Sequence, residues 1–240
     1  PKGLLKYGLH LQGTAAEMGA GIYCTWPGVA GAFGGVILDE KGKVVINSPE
    51  NVKALKYLRD MFERGCLQPT FFEDGTFEAE LSVMEGTVAM AVQWSYMIPM
   101  LPDAKAPYGI APNPFPQLPD SLGVAILKTS PKKDYVAEFV KWLASKEIVH
   151  ALTLATPKAA SRKDEAADLK AAGIEWVEPL EESYARLVSP IRDPRVVEMW
   201  EVVGRPLAEA LSPAVTPPEK FDPEGVLDSI AAGLEEVMKY

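Results

Sequence analysis

Cysteine and histidine are scarce in this 240-residue chain, with two of each: Cys24, Cys66, His10 and His150. The cysteines lie far apart, so neither a CxxC redox pair nor a zinc motif is present, and no metal site is expected. Two separately buried thiols are the expected arrangement, with a Cys24–Cys66 disulfide as the alternative in an oxidising compartment. No run of about 18 apolar residues occurs, which excludes a membrane-spanning helix of ordinary length. Basic residues are outnumbered, 24 against 33 acidic, for a formal net charge of -9. That balance repels phosphate backbones and anionic headgroups, so nucleic acid and membrane surfaces are poor partners. The opening Pro1-Lys2-Gly3 lacks an initiator Met and any signal-peptide pattern, and it reads as trimmed.

Catalytic motifs are missing as well. There is no GxSxG elbow, no HExxH, no phosphate loop and no Cys/His pair at a known spacing. The glycines Gly31, Gly34 and Gly35 lack the GxGxxG order. Carboxylates such as Glu50, Asp60, Glu63, Glu138, Glu235 and Glu236 fall on predicted helix surfaces, where solvation explains them. His10 alternates with apolar neighbours and reads as a packed or edge histidine. No catalytic residue and no cofactor are therefore expected, and the chain reads as a non-enzyme.

What is present is an ordinary globular composition, 48% hydrophobic and 24% charged, long enough for a sizeable core. Alternation over 7–12 predicts a half-buried strand. The apolar run over 87–93 predicts a strand buried on both faces. Two short strands flanking Asp39-Glu40-Lys41-Gly42 predict a hairpin, and another strand is expected over 122–127. Residues 14–21 read as a loop or loose turn. Ser48 and Pro49 open a helix with Val52, Leu55, Leu58 and Phe62 on one face, closed by Gly65 as a left-handed cap. A shorter helix carries Phe77, Leu81 and Met84. The proline-rich stretch 107–121 reads as one strand leading into an irregular loop. Ser130-Pro131 opens a helix bearing Tyr135, Val136, Phe139, Trp142 and Leu143. Helices are also expected over 178–189, over 195–211 and after Asp222-Pro223. Strands alternating with helices indicate an α/β protein.

Tyr23, Trp26, Trp94, Tyr96 and Trp200 lie beside Gly, Pro or polar residues rather than in smooth apolar stripes. Aromatic faces of this kind stack on the C–H face of a sugar ring while nearby amides and hydroxyls meet its hydroxyl groups. Trp142 and Trp176 are assigned to packing.

Several stretches carry a family resemblance. The run Val45-Ile46-Asn47-Ser48-Pro49-Glu50-Asn51-Val52, within 42–60, resembles the corresponding signature of carbohydrate-binding proteins of ABC importers, the maltodextrin-binding type. Residues 86–92, 106–112 and 129–143 are similar to further family segments in order and spacing. The resemblance implies a type II periplasmic-binding-protein-like fold, here its C-terminal lobe with a mixed sheet flanked by helices and most of the N-terminal lobe absent. Residues 1–111 and 144–240 would form the ligand-binding lobe, and 112–143 a crossover segment belonging to the missing lobe. It also implies a saccharide ligand, permease subunits as partners, and an extracytoplasmic location, in the periplasm or lipid-anchored at the outer face of the cell membrane. By the same resemblance, Tyr23, Tyr96 and Trp200 match sugar-contacting aromatics and Trp94 can substitute for Tyr96. Arg205 lies one position beyond a sugar-contacting Arg. The pattern departs at Gly13, where maltodextrin binders have Glu. Two other readings remain open: a carbohydrate-active enzyme domain, needing two convergent carboxylates, and a self-associating interaction module.

Overall fold

The computed structural model describes residues 5–16, 20–116, 123–156, 162, 164–187 and 193–239. Strand β1 (Tyr7–His10) pairs in parallel with β2 (Val88–Ala91), placing Tyr7 opposite Val88 and Leu9 opposite Met90. On its other edge β1 meets a single parallel bridge, Leu9 to Leu67. The segments beside β1 therefore run the same way, and their carboxyl ends emerge together. β2 is an edge strand rather than a doubly buried one: Val88 is buried, but Met90 is 61% exposed. The hairpin around Gly42 shrinks to one antiparallel bridge, Leu38 to Val44. Residues 107–116 and 123–127 contain no strand.

Helix α1 (Ala20–Ala32) occupies the stretch expected to be a loop at its start and to hold aromatics in irregular backbone. It contains Pro27 and is apolar all round, with Ile22, Tyr23, Trp26, Val29 and Ala30 all buried. A helix enclosed by core presents no polar face, so no stripe marks it in the sequence. Helix α2 (Pro49–Glu63) follows its expected grammar. The Ser48 hydroxyl accepts from the Asn51 amide, Pro49 fills the first turn, and Gly65 ends the helix at φ 70°. Leu55 and Leu58 are fully buried, each contributing about 1.5–3 kcal/mol.

Asn51 shows why this segment is so recognisable. Its side-chain amide donates to the carbonyls of Val36 (2.9 Å) and Val45 (3.2 Å), stapling both arms of the bridge to α2. Arg59, buried on the same helix, donates to the Ala210 carbonyl at 2.9 Å. Ala210 belongs to α8 (Val196–Leu211), which packs on α1 and on α9 (Pro223–Val237). Asp222 caps α9 through the Gly225 amide, as its sequence indicates.

The main core draws on residues 9–71 and 199–234. Helices α4 (Lys133–Leu143), α5 (Lys146–Ala155), α6 (Glu165–Ala171) and α7 (Val177–Tyr184) supply none of it and pack on one another in sequence order. α4 has no buried residue, and its apolar side chains Tyr135, Phe139 and Trp142 are exposed. Trp142, expected in packing, instead stacks on Phe139 at the surface. α3 (Thr76–Met84) lies against β2 and against a 3-10 stretch, Ser95–Asp103.

Candidate functional site

In open sheets of parallel strands, ligands bind where loops leave the carboxyl ends. Here β1 runs into Leu11-Gln12, and β2 into Val92-Gln93-Trp94. Thr76, the first residue of α3, joins the two ends. Its hydroxyl donates to Gln12 Oε1 at 3.1 Å, and its carbonyl accepts from Gln93 Nε2 at 2.9 Å. Gln93 Oε1 in turn accepts from the Trp94 amide at 2.9 Å, which fixes the backbone turn carrying the indole. Across the gap, the Thr25 hydroxyl of α1 donates to the Gln12 carbonyl at 2.6 Å.

A small cavity of about 50 Å³ lies among these groups. Leu11, Val29 and Val92 give it apolar surface, Gln12, Thr25 and Gln93 give it neutral polar groups, and Trp94 and Phe115 supply aromatic rings, with Cys24 beside them. Among the described residues, no carboxylate and no basic side chain lines it. A wider depression of about 410 Å³ between α8 and α9 includes Glu209 and Asp222 but no aromatic ring. The strand-end cavity is the better ligand site, because it combines ring faces with amides and hydroxyls that can meet a polar solute.

Of the six residues singled out in the sequence, Trp94 alone lines this cavity. Trp26 is fully buried in α1. Tyr23 is 3% exposed and packs at 5.6 Å, ring centre to ring centre, on half-buried Trp200 of α8. Burial pushes the Tyr23 hydroxyl well above its ordinary range. Tyr96 bonds its hydroxyl to Glu80. Its hydroxyl is pushed up to about 12, first by burial and then by that carboxylate. Arg205 is exposed and pairs with Glu201 on the same helix at 3.2 Å. Gln12, Cys24, Thr25, Gln93 and Phe115 escaped the sequence reading. For the two glutamines there was a signal: each directly follows the apolar run of a predicted strand.

Gly13 also has a physical explanation. A Cβ there would sit 2.3 Å from the Phe71 carbonyl oxygen, so this backbone has no room for the Glu found in maltodextrin binders. Cys24 and Cys66 are half-buried and form no disulfide with each other. Among the described residues, no His, Cys, Asp and Glu group is arranged to hold a metal, and no helix is long and apolar enough to cross a membrane.

Residues 12–149 match the family model for bacterial extracellular solute-binding proteins. The chain belongs to that family. The solute-binding fold extends beyond the matched stretch. Maltose-bound MalE3 of T. maritima superposes with a TM-score of 0.77 at 24% identity, over 96% of this chain and 60% of that one. A solute-binding protein of an ABC transporter from Thermotoga lettingae, bound with alpha-D-tagatose, gives 0.77 at 21% identity, over 97% and 59%. The Thermus thermophilus maltotriose-binding protein gives 0.75 at 19%, over 99% and 63%. The chain thus spans about three-fifths of the length of these solved solute-binding proteins. No curated protein matches its sequence. The architecture is the α/β type II periplasmic-binding-protein-like fold, represented by a partial lobe.

Proposed function

We propose that this solute-binding family member supplies one wall of a saccharide cleft for an ABC importer and binds its ligand without transforming it. The observation that carries the reading is the neutral, aromatic-edged cavity at the carboxyl ends of β1 and β2. Trp94 is its stacking platform, with Gln12, Thr25 and Gln93 as hydrogen-bonding partners for hydroxyl groups. Buried Tyr23 and half-buried Trp200 act as a pair that holds α1 against α8, and Trp26 belongs to the core. Tyr96 and Arg205 do not line the cavity and have no assigned role in it. A glycoside-cleaving site would place two carboxylates in the cleft, and the described residues of the lining include none.

The opposite wall would come from an N-terminal lobe. The crossing segment 112–143 would lead into it, with 144–240 returning to this lobe; α5 to α7 pack on α4 and contribute nothing to the main core. The exposed faces of Tyr135, Phe139 and Trp142 support this assignment, because an apolar stripe of that size is ordinarily covered. Permease subunits at the outer face of the membrane would then receive the solute from the receptor, free in the periplasm or lipid-anchored.

The test is a tryptophan-fluorescence titration of the 240-residue chain with maltose, maltotriose and D-tagatose. A saturable change that disappears in Trp94→Ala, with the thermal melt retained, is the expected outcome. A flat signal with every saccharide rejects the reading.

A further inference from the structure

His10 ends β1 and is 1% exposed, just before the chain reaches Gln12. Its ring stands among groups whose hydrogen-bonding demands cannot all be met at once. The Ser82 hydroxyl, 2.9 Å from Nδ1, has one hydrogen and two takers: the ring, and the Glu78 carbonyl at 2.9 Å. When the hydrogen goes to the carbonyl, the ring proton sits on Nδ1 and Nε2 is a bare lone pair. When it goes to the ring, the ring proton sits on Nε2. Either way Nε2 is buried and makes no hydrogen bond, although Asp74 Oδ2 lies 3.3 Å away. That carboxylate oxygen is held elsewhere, by the Thr70 hydroxyl at 2.7 Å.

Asp74 is also a backbone anchor for the cavity wall. Its carbonyl accepts from the amides of Gly13 and Thr14, both at 3.2 Å. Gly13 has little slack, since it is pressed against Phe71 with no room for a Cβ. Gln12 therefore stands between His10 and two residues hung on Asp74, while its own carbonyl and side chain hold Thr25 and Thr76. A shift of Asp74 towards the ring reaches Gln12 from both sides. The other charged neighbours are few. On α3, Glu78 adds a second negative charge near the ring, and Glu80 is turned to Tyr96. The 70–75 turn contributes Asp74, with Glu73 exposed, and β2 carries no titratable side chain. On the Leu67 segment the one titratable residue, Cys66, meets Gly8 and Leu9 through its carbonyl.

A protonated His10 donates from both nitrogens, and both donors are satisfied only if Asp74 leaves Thr70 and turns into line with Nε2. Burial opposes that charge and holds the imidazole below 6.5, against the pull of Asp74 and Glu78. The neutral arrangement therefore prevails at neutral pH, and the charged one is reached only in acid. We infer that His10 and Asp74 form a proton-operated latch behind the solute cavity: the wall around Gln12 holds its ligand while His10 is neutral and loosens its hold when His10 is protonated. The inference rests on the saccharide reading of that cavity and adds to it a regulation by pH. By linkage, solute and proton oppose each other. Affinity is full at neutral pH and falls as pH drops through the His10 midpoint, and bound solute lowers that midpoint.

The chain has two histidines, so NMR of imidazole and amide signals against pH tests the latch on the wild type, with maltose as probe and His150 of α5 as internal control. In the free chain, the Gly13 and Thr14 amides should titrate with the midpoint of His10. Saturating maltose should lower that midpoint by about half a pH unit or more, equivalent to about a threefold loss of affinity on full protonation, and leave His150 unmoved. In calorimetry, His10→Gln should bring the ratio of maltose Kd values at about pH 5 and about pH 7.5 close to one. A merely structural role for His10 would weaken binding at both pH values and keep the wild-type ratio. Gly13 and Thr14 amides that ignore His10 would overturn the inference. So would a His10 midpoint unchanged by maltose that perturbs Gln12 and Trp94, and saccharide binding would then stand without the latch. If maltose perturbs no amide, the saccharide reading fails instead, and the Gly13 and Thr14 signals of the free chain still decide the coupling. The NMR needs no variant, so a His10→Gln chain that fails to fold leaves the test decisive.

Discussion

Trp26 and Trp94 are the same residue type in superficially similar surroundings, yet they have opposite physical roles. Trp26 is fully enclosed in α1, so Trp26→Ala removes a large buried ring and should cost about 3–5 kcal/mol in urea unfolding. A loss below about 1 kcal/mol would contradict its place in the core. Trp94 is half-buried at the cavity, and its replacement should change ligand response with little effect on stability. His10 gives a second residue-level expectation. It is 1% exposed, with Nδ1 at 2.9 Å from the Ser82 hydroxyl and Nε2 at 3.3 Å from Asp74. Burial holds its imidazole below the usual value of 6.5, against the opposing pull of Asp74 and Glu78. The unfolded chain therefore takes up this proton first. The stability linked to neutral His10 is fully present above the unfolded value of 6.5 and is lost as pH falls towards the lower folded value. Melting curves at about pH 7.5 and about pH 5.5 should show a smaller acid loss for His10→Gln than for the wild type; an equal loss would contradict the assignment.

At the scale of elements, legibility followed the boundary between core and exterior. α2 could be read because Ser48, Pro49 and Gly65 punctuate a helix with one buried face. The same segment carries the family resemblance for a structural reason: Asn51 and Arg59 are tied to backbone carbonyls distant in sequence. It is the most recognisable stretch, and it does not line the cavity. α1 could not be read, since Gly21, Pro27 and Gly31 argue against a helix locally, and burial on all sides erases the periodicity. Tertiary packing overrides propensity there, and the residues of Tyr23-Cys24-Thr25-Trp26 separate into core and cavity positions only once the helix is wound. α4 had a clear amphipathic pattern, but the surface it was patterned for is not within the described residues. Its apolar side chains should therefore add little to this chain's own stability. Replacing Phe139 and Trp142 together by Gln should shift the unfolding free energy by less than about 0.5 kcal/mol while reducing any self-association seen by analytical ultracentrifugation. A loss of several kcal/mol would mean that α4 is integral to the core.

At the scale of the whole molecule, the family, the α/β architecture and the partial lobe were all legible, because they depend on patterns spread over many residues. The composition of the cavity was not, since Gln12, Thr25, Gln93 and Phe115 come from four separate segments: the pairing of β1 and β2 brings the two glutamines together, while Thr25 arrives on α1 and Phe115 on a segment distant from both strands. Receptors of this kind gain affinity when two lobes close on one solute, with contacts to both favouring the closed state. On the proposed function, this chain supplies one wall and so only part of those contacts. A Kd of roughly millimolar order, about -4 kcal/mol, is expected for maltose binding to this chain. Nanomolar affinity in calorimetry would show that it is a complete binding unit instead.

On the proposed function, the solute meets this chain at the carboxyl ends of its two paired strands. Amide chemical-shift mapping on isotopically labelled chain with increasing maltose tests that placement directly. Perturbations should concentrate at Leu11, Gln12, Cys24, Thr25, Gln93 and Trp94. Perturbations gathered instead between α8 and α9, around Glu209 and Asp222, or no perturbation at all, would contradict it.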